Sequence, residues 1–233
     1  MTMSTPSPQS IHSGLWLASQ LALGGARCID TGFAALSKEL PGRGWPTGAL
    51  IDLLLQQPGV GELRLLGPAL QALAPHRIAL VQTPHAPQII GWHQNGVDAS
   101  RLLSVRTATS ADAAWAAEQI LKSDSCAALL LWQRHLRKDS LRRLHLAAQS
   151  GNTLFVMLRP LSCAQDASPA ALRLSLTPAA GGIDIGFIKR RGPQRDEPLF
   201  ISLPSLNLLH HAPVDRRTPA PAAVGSVLSE LVG

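Results

Sequence analysis

Short apolar segments alternate with longer amphipathic segments through the middle of the chain, and this alternation limits the possible folds more than any other feature. The apolar segments are predicted to be strands at 49–55, 77–82, 102–105, 127–132 and 153–158. The amphipathic segments are predicted to be helices at 62–73, 87–94, 110–122 and 139–149, with Ser110 as the N-cap of the third. Strands separated by helices are typical of a parallel sheet that helices cover on both faces. The chain is therefore predicted to have an α/β fold.

The pattern changes after Pro160. Apolar and polar residues alternate at 171–176 and 183–188, the turn sequence TPAAGG joins these segments, and a third segment lies at 199–203. A period of two around a turn that contains Pro and Gly is typical of antiparallel strands. We therefore expect an antiparallel hairpin extension on the C-terminal side of a mostly parallel central sheet.

Composition divides the chain into three predicted parts. Residues 1–27 are expected to form a frayed tail with a helix at 12–23, residues 28–203 one domain, and the Pro-rich residues 204–233 a flexible tail. No apolar run is long enough to span a membrane, and the first residues do not resemble a secretory signal. The three cysteines lie too far apart in sequence for a zinc motif. We expect a cytoplasmic protein without a metal or a cofactor.

The excess of basic residues lies in the second half of the chain. The 233 residues include 21 Lys and Arg against 15 Asp and Glu. Residues 1–133 carry 8 of each sign, whereas residues 134–217 carry 13 basic and 6 acidic side chains. The chain has no Tyr and only 4 Phe, which disfavours a nucleic-acid binder built on rows of stacked aromatic side chains.

The densest basic cluster follows the predicted hairpin. It consists of Lys189, Arg190, Arg191 and Arg195. Such a cluster is a candidate contact for DNA phosphates or for an acidic partner. The alternative is a solvated turn whose charge Asp196 and Glu197 balance.

Residues 56–63 lie where a strand–loop–helix nucleotide site has its phosphate-binding loop. That loop has the sequence G-x-x-x-x-G-K-[ST], in which the backbone and the Lys bind phosphate and the hydroxyl binds magnesium. Gly59 and Gly61 are present, but Gln56 replaces the first Gly, Glu62 the Lys and Leu63 the Ser or Thr. A carboxylate at the position of the ammonium group opposes triphosphate binding. We predict a degenerate nucleotide loop, with a generic turn and a weak ATPase as alternatives.

The other catalytic element of a nucleotide hydrolase is also missing. Strand 127–132 ends in Trp132 and is followed by Gln133, so no Asp is present there to position magnesium. No Ser-His-Asp or Cys-His arrangement stands at an interpretable spacing. The sequence therefore predicts a protein that is not an enzyme.

Several strings resemble the RecA-type recombinase core, over residues 28–203. TGFAAL at 31–36 and the following GRGWPTGALIDLL resemble the stretch that leads into the family's phosphate-binding strand. GVDASRLLSV at 96–105 and the later IDIGFIKRRGPQRDEPLF resemble further parts of that core. Within the superfamily, LLLQQPGVGELRLLGPAL, SPAALRLSL and the IKRRG run are similar to the ImuA family, the RecA-like proteins of bacterial mutagenesis cassettes.

The resemblance implies a RecA-like fold without ATPase activity, since the recombinase's general-base Glu falls on Pro84, with His85 retained. It also implies a role in the SOS response to DNA damage. The chain would act in DNA repair and error-prone translesion synthesis, together with an ImuB-type polymerase homologue. RecA and single-stranded DNA are further candidate partners. The alternative is the related RecA-like family SulA, whose members inhibit cell division by binding FtsZ.

Overall fold

The computed structural model of the chain describes residues 27–87, 89–193 and 195–203. The predicted helix at 12–23 and the predicted tail at 204–233 lie outside the described residues. The strands are β1 (Cys28–Ile29), β2 (Trp45–Pro46), β3 (Ala49–Leu55), β4 (Ile78–Val81), β5 (Leu102–Val105), β6 (Ala128–Trp132), β7 (Leu154–Pro160), β8 (Leu172–Ala179), β9 (Gly182–Lys189) and β10 (Leu199–Ser202). The helices are α1 (Ala34–Glu39), α2 (Glu62–Ala72), α3 (Ile89–Gln94), α4 (Ser110–Ser123) and α5 (Lys138–Ala148).

Eight of these strands form one mixed sheet, in the order β10-β9-β8-β3-β7-β6-β4-β5. The six strands from β8 to β5 run parallel to one another, whereas β9 pairs antiparallel with both β8 and β10. The prediction of an α/β fold with a mostly parallel sheet and an antiparallel C-terminal extension is confirmed. The carboxyl ends of the parallel strands share one end of the sheet, here called the carboxyl end, and the opposite end is the amino end.

Two apolar cores lie on opposite faces of the sheet, because successive side chains of a buried strand point to opposite faces. On one face, Ile51 and Leu53 of β3 pack with Leu66 and Leu70 of α2. On the other face, Leu50 of β3 belongs to the core that α4 and α5 cover. The sequence of β3 is accordingly apolar on both faces, as expected for a central parallel strand.

Helix α2 continues through Pro68 without interruption, although a proline inside a helix removes one backbone hydrogen bond. The pyrrolidine ring packs directly on Gly32, where a Cβ would overlap the Cβ of Pro68. The glycine therefore makes room for the proline. The helix can then place Leu65 and Leu66, near its N-terminus, in the core.

Two local predictions differ from the structure. The N-cap of α4 is Thr109, whose hydroxyl accepts a hydrogen bond from the amide of Asp112 at 3.1 Å, so the prediction of Ser110 as the cap was wrong by one residue. Pro87, which was expected to start the next helix, lies outside α3, whose described bounds are Ile89–Gln94. None of the helices in the described ranges is long and apolar enough to cross a lipid bilayer.

Candidate functional site

The loop of residues 56–61 joins the carboxyl end of β3 to the first turn of α2. Gly59 and Gly61 have φ angles of 89° and 122°, which side-chain-bearing residues rarely adopt. The Cβ of an alanine at position 61 would also lie 2.8 Å from Cδ1 of Leu203. These two glycines let the backbone turn tightly enough to direct its amide groups into the loop.

The side chain of Glu62 occupies the inside of this loop. The amide of Gly59 donates to Oε1 at 2.8 Å and to Oε2 at 3.1 Å, and the amide of Gly61 donates to Oε2 at 3.1 Å. Glu62 is only 4% exposed. Converging backbone amides at the start of a helix form an anion-binding site, and here the anion is a carboxylate of the chain itself.

The remaining positions of the degenerate loop are also engaged. The amide of Gln56 donates to the carbonyl oxygen of Leu176 in β8 at 3.2 Å. Leu63, at the position of the magnesium-binding hydroxyl, packs against the core. A triphosphate could therefore enter the loop only by displacing the carboxylate of Glu62, and it would find neither an ammonium group nor a hydroxyl there.

Two cavities flank the loop at the carboxyl end of the sheet, with volumes of about 290 Å³ and 600 Å³. Pro58, Pro84 and Trp132 line both cavities, and His85 lines the smaller one. Among the described residues that line them, Glu62 is the only carboxylate. The walls that the two cavities share thus include an indole and two proline rings.

A metal site is not formed by the described part of the chain. Within residues 27–87, 89–193 and 195–203, no group of three His, Cys, Asp or Glu side chains is arranged to hold a metal ion.

Two members of the predicted basic cluster share one carboxylate. Arg190 and Arg195 both bind Glu39 of α1, with distances of 2.6 Å from Nη1 of Arg190 to Oε2 and 2.8 Å from Nη1 of Arg195 to Oε1. The guanidinium of Arg190 also lies 4.7 Å from the centre of the Phe187 ring. Burial alone would raise the pKa of Glu39, but the hydrogen bonds and charges of the two arginines bring that pKa below its ordinary value. These two arginines therefore attach α1 to the end of the hairpin.

Lys189 and Arg191 line a third cavity, of about 500 Å³, together with His145 of α5. Arg190 lines it as well, although its guanidinium group is already paired with Glu39. The cavity lies at the amino end of the sheet, because Ala49 at the start of β3 and Leu172 at the start of β8 also line it. The structure thus brings three of the four residues of the predicted cluster together around an open space, and one of the three, Arg190, is already paired with Glu39.

A buried ionic group on the central strands was missed by the sequence analysis. Asp52 of β3 is fully buried, and its Oδ2 lies 3.2 Å from Nε of Arg173 in β8 and 3.8 Å from Nη1 of Arg159 in β7. Arg159 further binds Asp166 at 2.9 Å. Burial raises the pKa of Asp52 above its ordinary value, although a hydrogen bond from Ser168 and the charges of the two arginines partly oppose this.

The sequence does contain an indication of this group. A single Asp interrupts the apolar run ALIDLLL, and single arginines occur in the strands TLFVMLRP and ALRLSL. Charged side chains in buried strands require partners of the opposite sign, so the sequence indicates that these three side chains need partners. Which strands are neighbours, however, follows only from the sheet order.

Comparison with known proteins finds neither a family model nor a curated protein that matches this chain.

Proposed function

We propose that the chain is a non-catalytic RecA-like accessory protein, which acts with an ImuB-type polymerase homologue in error-prone translesion DNA synthesis during the SOS response. In this role it binds other proteins and does not hydrolyse ATP. The proposal combines the resemblance of residues 28–203 to the RecA and ImuA families with the geometry of the loop.

The observation that carries the non-catalytic part is the position of Glu62. Its carboxylate accepts three short contacts from the amides of Gly59 and Gly61, so the anion site of the loop is already occupied. The favourable interaction of a negative charge with a helix N-terminus is satisfied within the chain. A bound nucleotide would have to compensate for the loss of these hydrogen bonds.

The overall architecture is compatible with the RecA-like part of the proposal. A glycine-bearing loop links a central parallel strand, β3, to a helix that packs on the sheet, and an antiparallel extension follows at β9 and β10. Strand–loop–helix units of this kind place ligands at the carboxyl end of a parallel sheet. Here that end has one largely apolar cavity and one with a mixed polar and apolar lining beside a self-occupied loop, which suits a site that has lost its nucleotide.

The nucleotide test measures magnesium-dependent ATP hydrolysis and binding of a fluorescent ATP analogue. We expect no hydrolysis by the wild type or by Glu62→Gln, because the ammonium group and the magnesium-binding hydroxyl are absent in both. Turnover by the wild type that Gly61→Ala abolishes would instead identify the chain as an ATPase.

The partner test is a pull-down with the full-length tagged chain. An ImuB-type polymerase homologue, RecA and FtsZ are offered side by side, at equal concentration and at physiological salt. We expect retention of the polymerase homologue. Retention of FtsZ alone would contradict translesion synthesis and favour inhibition of cell division.

A further inference from the structure

The amino-end cavity, defined above by Lys189, Arg191 and His145, collects basic groups from three parts of the fold. His145 comes from α5, Lys189 ends β9, and Arg191 lies in the turn that follows. Among the described residues that line this cavity, none is an Asp or a Glu. The cavity is therefore a site of positive charge without an internal counter-charge.

The nearby carboxylates are already engaged. Glu39 binds Arg190 and Arg195, and Asp52 binds Arg159 and Arg173. Each of these carboxylates is thus shared between two arginines, and the charge of Asp52 opposes the lowering of the pKa of Lys189 only in part. An anion that neutralises Lys189 and Arg191 has to come from outside the described residues.

Two buried polar atoms at the cavity have no hydrogen-bond partner among the described residues. They are Nη1 of Arg191 and Nδ1 of His145. Lys189 makes one contact, from Nζ to the carbonyl oxygen of Ser168 at 3.3 Å, which leaves further donor capacity on its ammonium group. Leaving a buried donor unpaired is unfavourable, and an acceptor placed in the cavity would remove this cost.

The electrostatics of the side chains agree with this geometry. Burial and then the charge of Arg173 lower the pKa of Lys189, which the charge of Asp52 only partly opposes. Burial and the charge of Lys189 lower the pKa of His145. Both shifts arise first from burial and then from repulsion between basic groups, and a negative charge in the cavity would oppose both causes.

Much of the rest of the wall is apolar, although Thr47 and Gln149 also line it. Pro41, Pro46, Pro169 and Leu172 line the cavity, and the last of these is a member of the sheet's core. An apolar surface beside convergent polar groups is typical of a site that binds an organic ligand or a peptide rather than a bare inorganic ion.

We propose that the amino-end cavity binds an acidic peptide segment of a partner protein, with a carboxylate on Lys189 and Arg191 and a neighbouring apolar side chain on the proline-lined wall. The positive charges of Lys189 and Arg191 favour a carboxylate. The apolar residues beside them favour a peptide, which offers an apolar side chain next to that carboxylate. The site deepens the proposed function by naming the chemistry of one partner. It rests on that function in one respect, which is that the partner is a protein.

The experiment uses a displayed library of random nonapeptides, selected against the full-length chain at low salt. Selected peptides are titrated against the wild type, Arg191→Gln, Lys189→Gln and Arg142→Gln. Arg142 is an exposed residue of α5 outside the cavity, so its variant removes the same charge without touching the site. Thermal unfolding of each variant without peptide checks that it is folded.

We expect enrichment of Asp or Glu next to an apolar residue. Binding should weaken about tenfold in Arg191→Gln and in Lys189→Gln, as for the loss of a charged hydrogen bond, and should be unchanged in Arg142→Gln. Replacement of the acidic residue of the peptide by its amide should have the same effect.

Three outcomes would overturn the proposal. One is a selection without acidic enrichment, and another is binding that Arg142→Gln weakens as much as Arg191→Gln. The third is weak peptide binding together with binding of inorganic phosphate that Arg191→Gln abolishes, which would assign the cavity to a small phosphate-bearing ligand. Because the selection contains no polymerase homologue, its result is independent of the pull-down.

Discussion

The two ends of the sheet differ in whether the chain itself supplies the negative charge that a cluster of hydrogen-bond donors can bind. At the carboxyl end, backbone amides of the loop form an anion site, and the chain fills it with the carboxylate of Glu62. At the amino end, Lys189, Arg191 and His145 surround a cavity whose described lining has no carboxylate. An anion site that is filled internally contributes to stability, whereas one that is left open lowers stability and is available for binding. The comparison therefore separates an anion site that the chain fills itself from a site that is open to a ligand.

The largest effect is expected inside the sheet, where the carboxylate of Asp52 neutralises two buried arginines. Asp52→Asn should lower the free energy of unfolding by about 3–5 kcal/mol, because Arg159 and Arg173 would remain buried without their shared carboxylate. Urea denaturation measures this loss. The matched control is Asp166→Asn, which should cost about 1 kcal/mol or less, since its carboxylate is half exposed. Equal losses in the two variants would contradict the special role of Asp52.

The next effect is expected in the loop. Glu62→Ala should cost about 2 kcal/mol, because the amides of Gly59 and Gly61 lose their acceptor. Millimolar phosphate should bind the emptied loop of the variant and recover part of this stability. It should not bind the loop of the wild type, which the carboxylate of Glu62 already fills. Thermal unfolding with and without phosphate measures the recovery. If Glu62→Ala is as stable as the wild type, the carboxylate does not occupy the loop as described.

A smaller effect is expected where the neutralised pair is near the surface. Glu39→Gln should cost about 1 kcal/mol at neutral pH, since a partly exposed ion pair is worth little. The pKa of Glu39 is lowered in the folded chain, so its contribution is present above the ordinary pKa of Glu and is lost as pH falls through the lowered value. The difference in stability between variant and wild type should therefore shrink in acid. A stability difference that grows in acid would contradict the ion pairs of Glu39 with Arg190 and Arg195.

The smallest effect is expected in the amino-end cavity, and it has the opposite sign. The pKa of His145 is lowered in the folded chain, so the unfolded chain binds the proton more readily and stability falls as pH drops below the ordinary His pKa. His145→Gln should remove this loss and raise stability near pH 5.5 by less than about 1 kcal/mol. Unfolding curves at pH 5.5 and 7.5 measure the difference. A variant that is less stable than the wild type at both values would indicate that Nδ1 of His145 has a partner, in addition to the contact of Nε2 with Gln149 at 3.3 Å.

The sequence predicted the strands of the central sheet well, because each is a short apolar run between turn residues. The predicted strands at 49–55 and 102–105 coincide with β3 and β5, and that at 127–132 differs from β6 by one residue. Helix ends were less accurate, since neighbouring hydroxyl residues such as Thr109 and Ser110 compete for the same cap. The division of the basic cluster was not predictable, because it depends on where α1 presents Glu39.

The loop shows a similar limit. Substitution of the phosphate-binding Lys by Glu62 was visible in the sequence and predicted loss of nucleotide binding by repulsion. That the carboxylate turns back and accepts hydrogen bonds from the loop depends on its side-chain conformation, which no motif encodes. The pairing of Asp52 with Arg173 depends in the same way on a contact between residues 121 positions apart.

The position of Asp52, Arg159 and Arg173 on one face of the sheet also fixes how the strands can be aligned. In a strand, a shift of one residue moves every side chain to the opposite face. Such a shift of β8 along β3 would place Arg173 among the leucines of α2 and leave Asp52 with one arginine fewer, while a shift of two residues would separate the charges by about 7 Å more. The aliphatic residues around them are nearly interchangeable in size and would tolerate several alignments. The three charged side chains therefore select one register among alternatives that the apolar core alone distinguishes poorly.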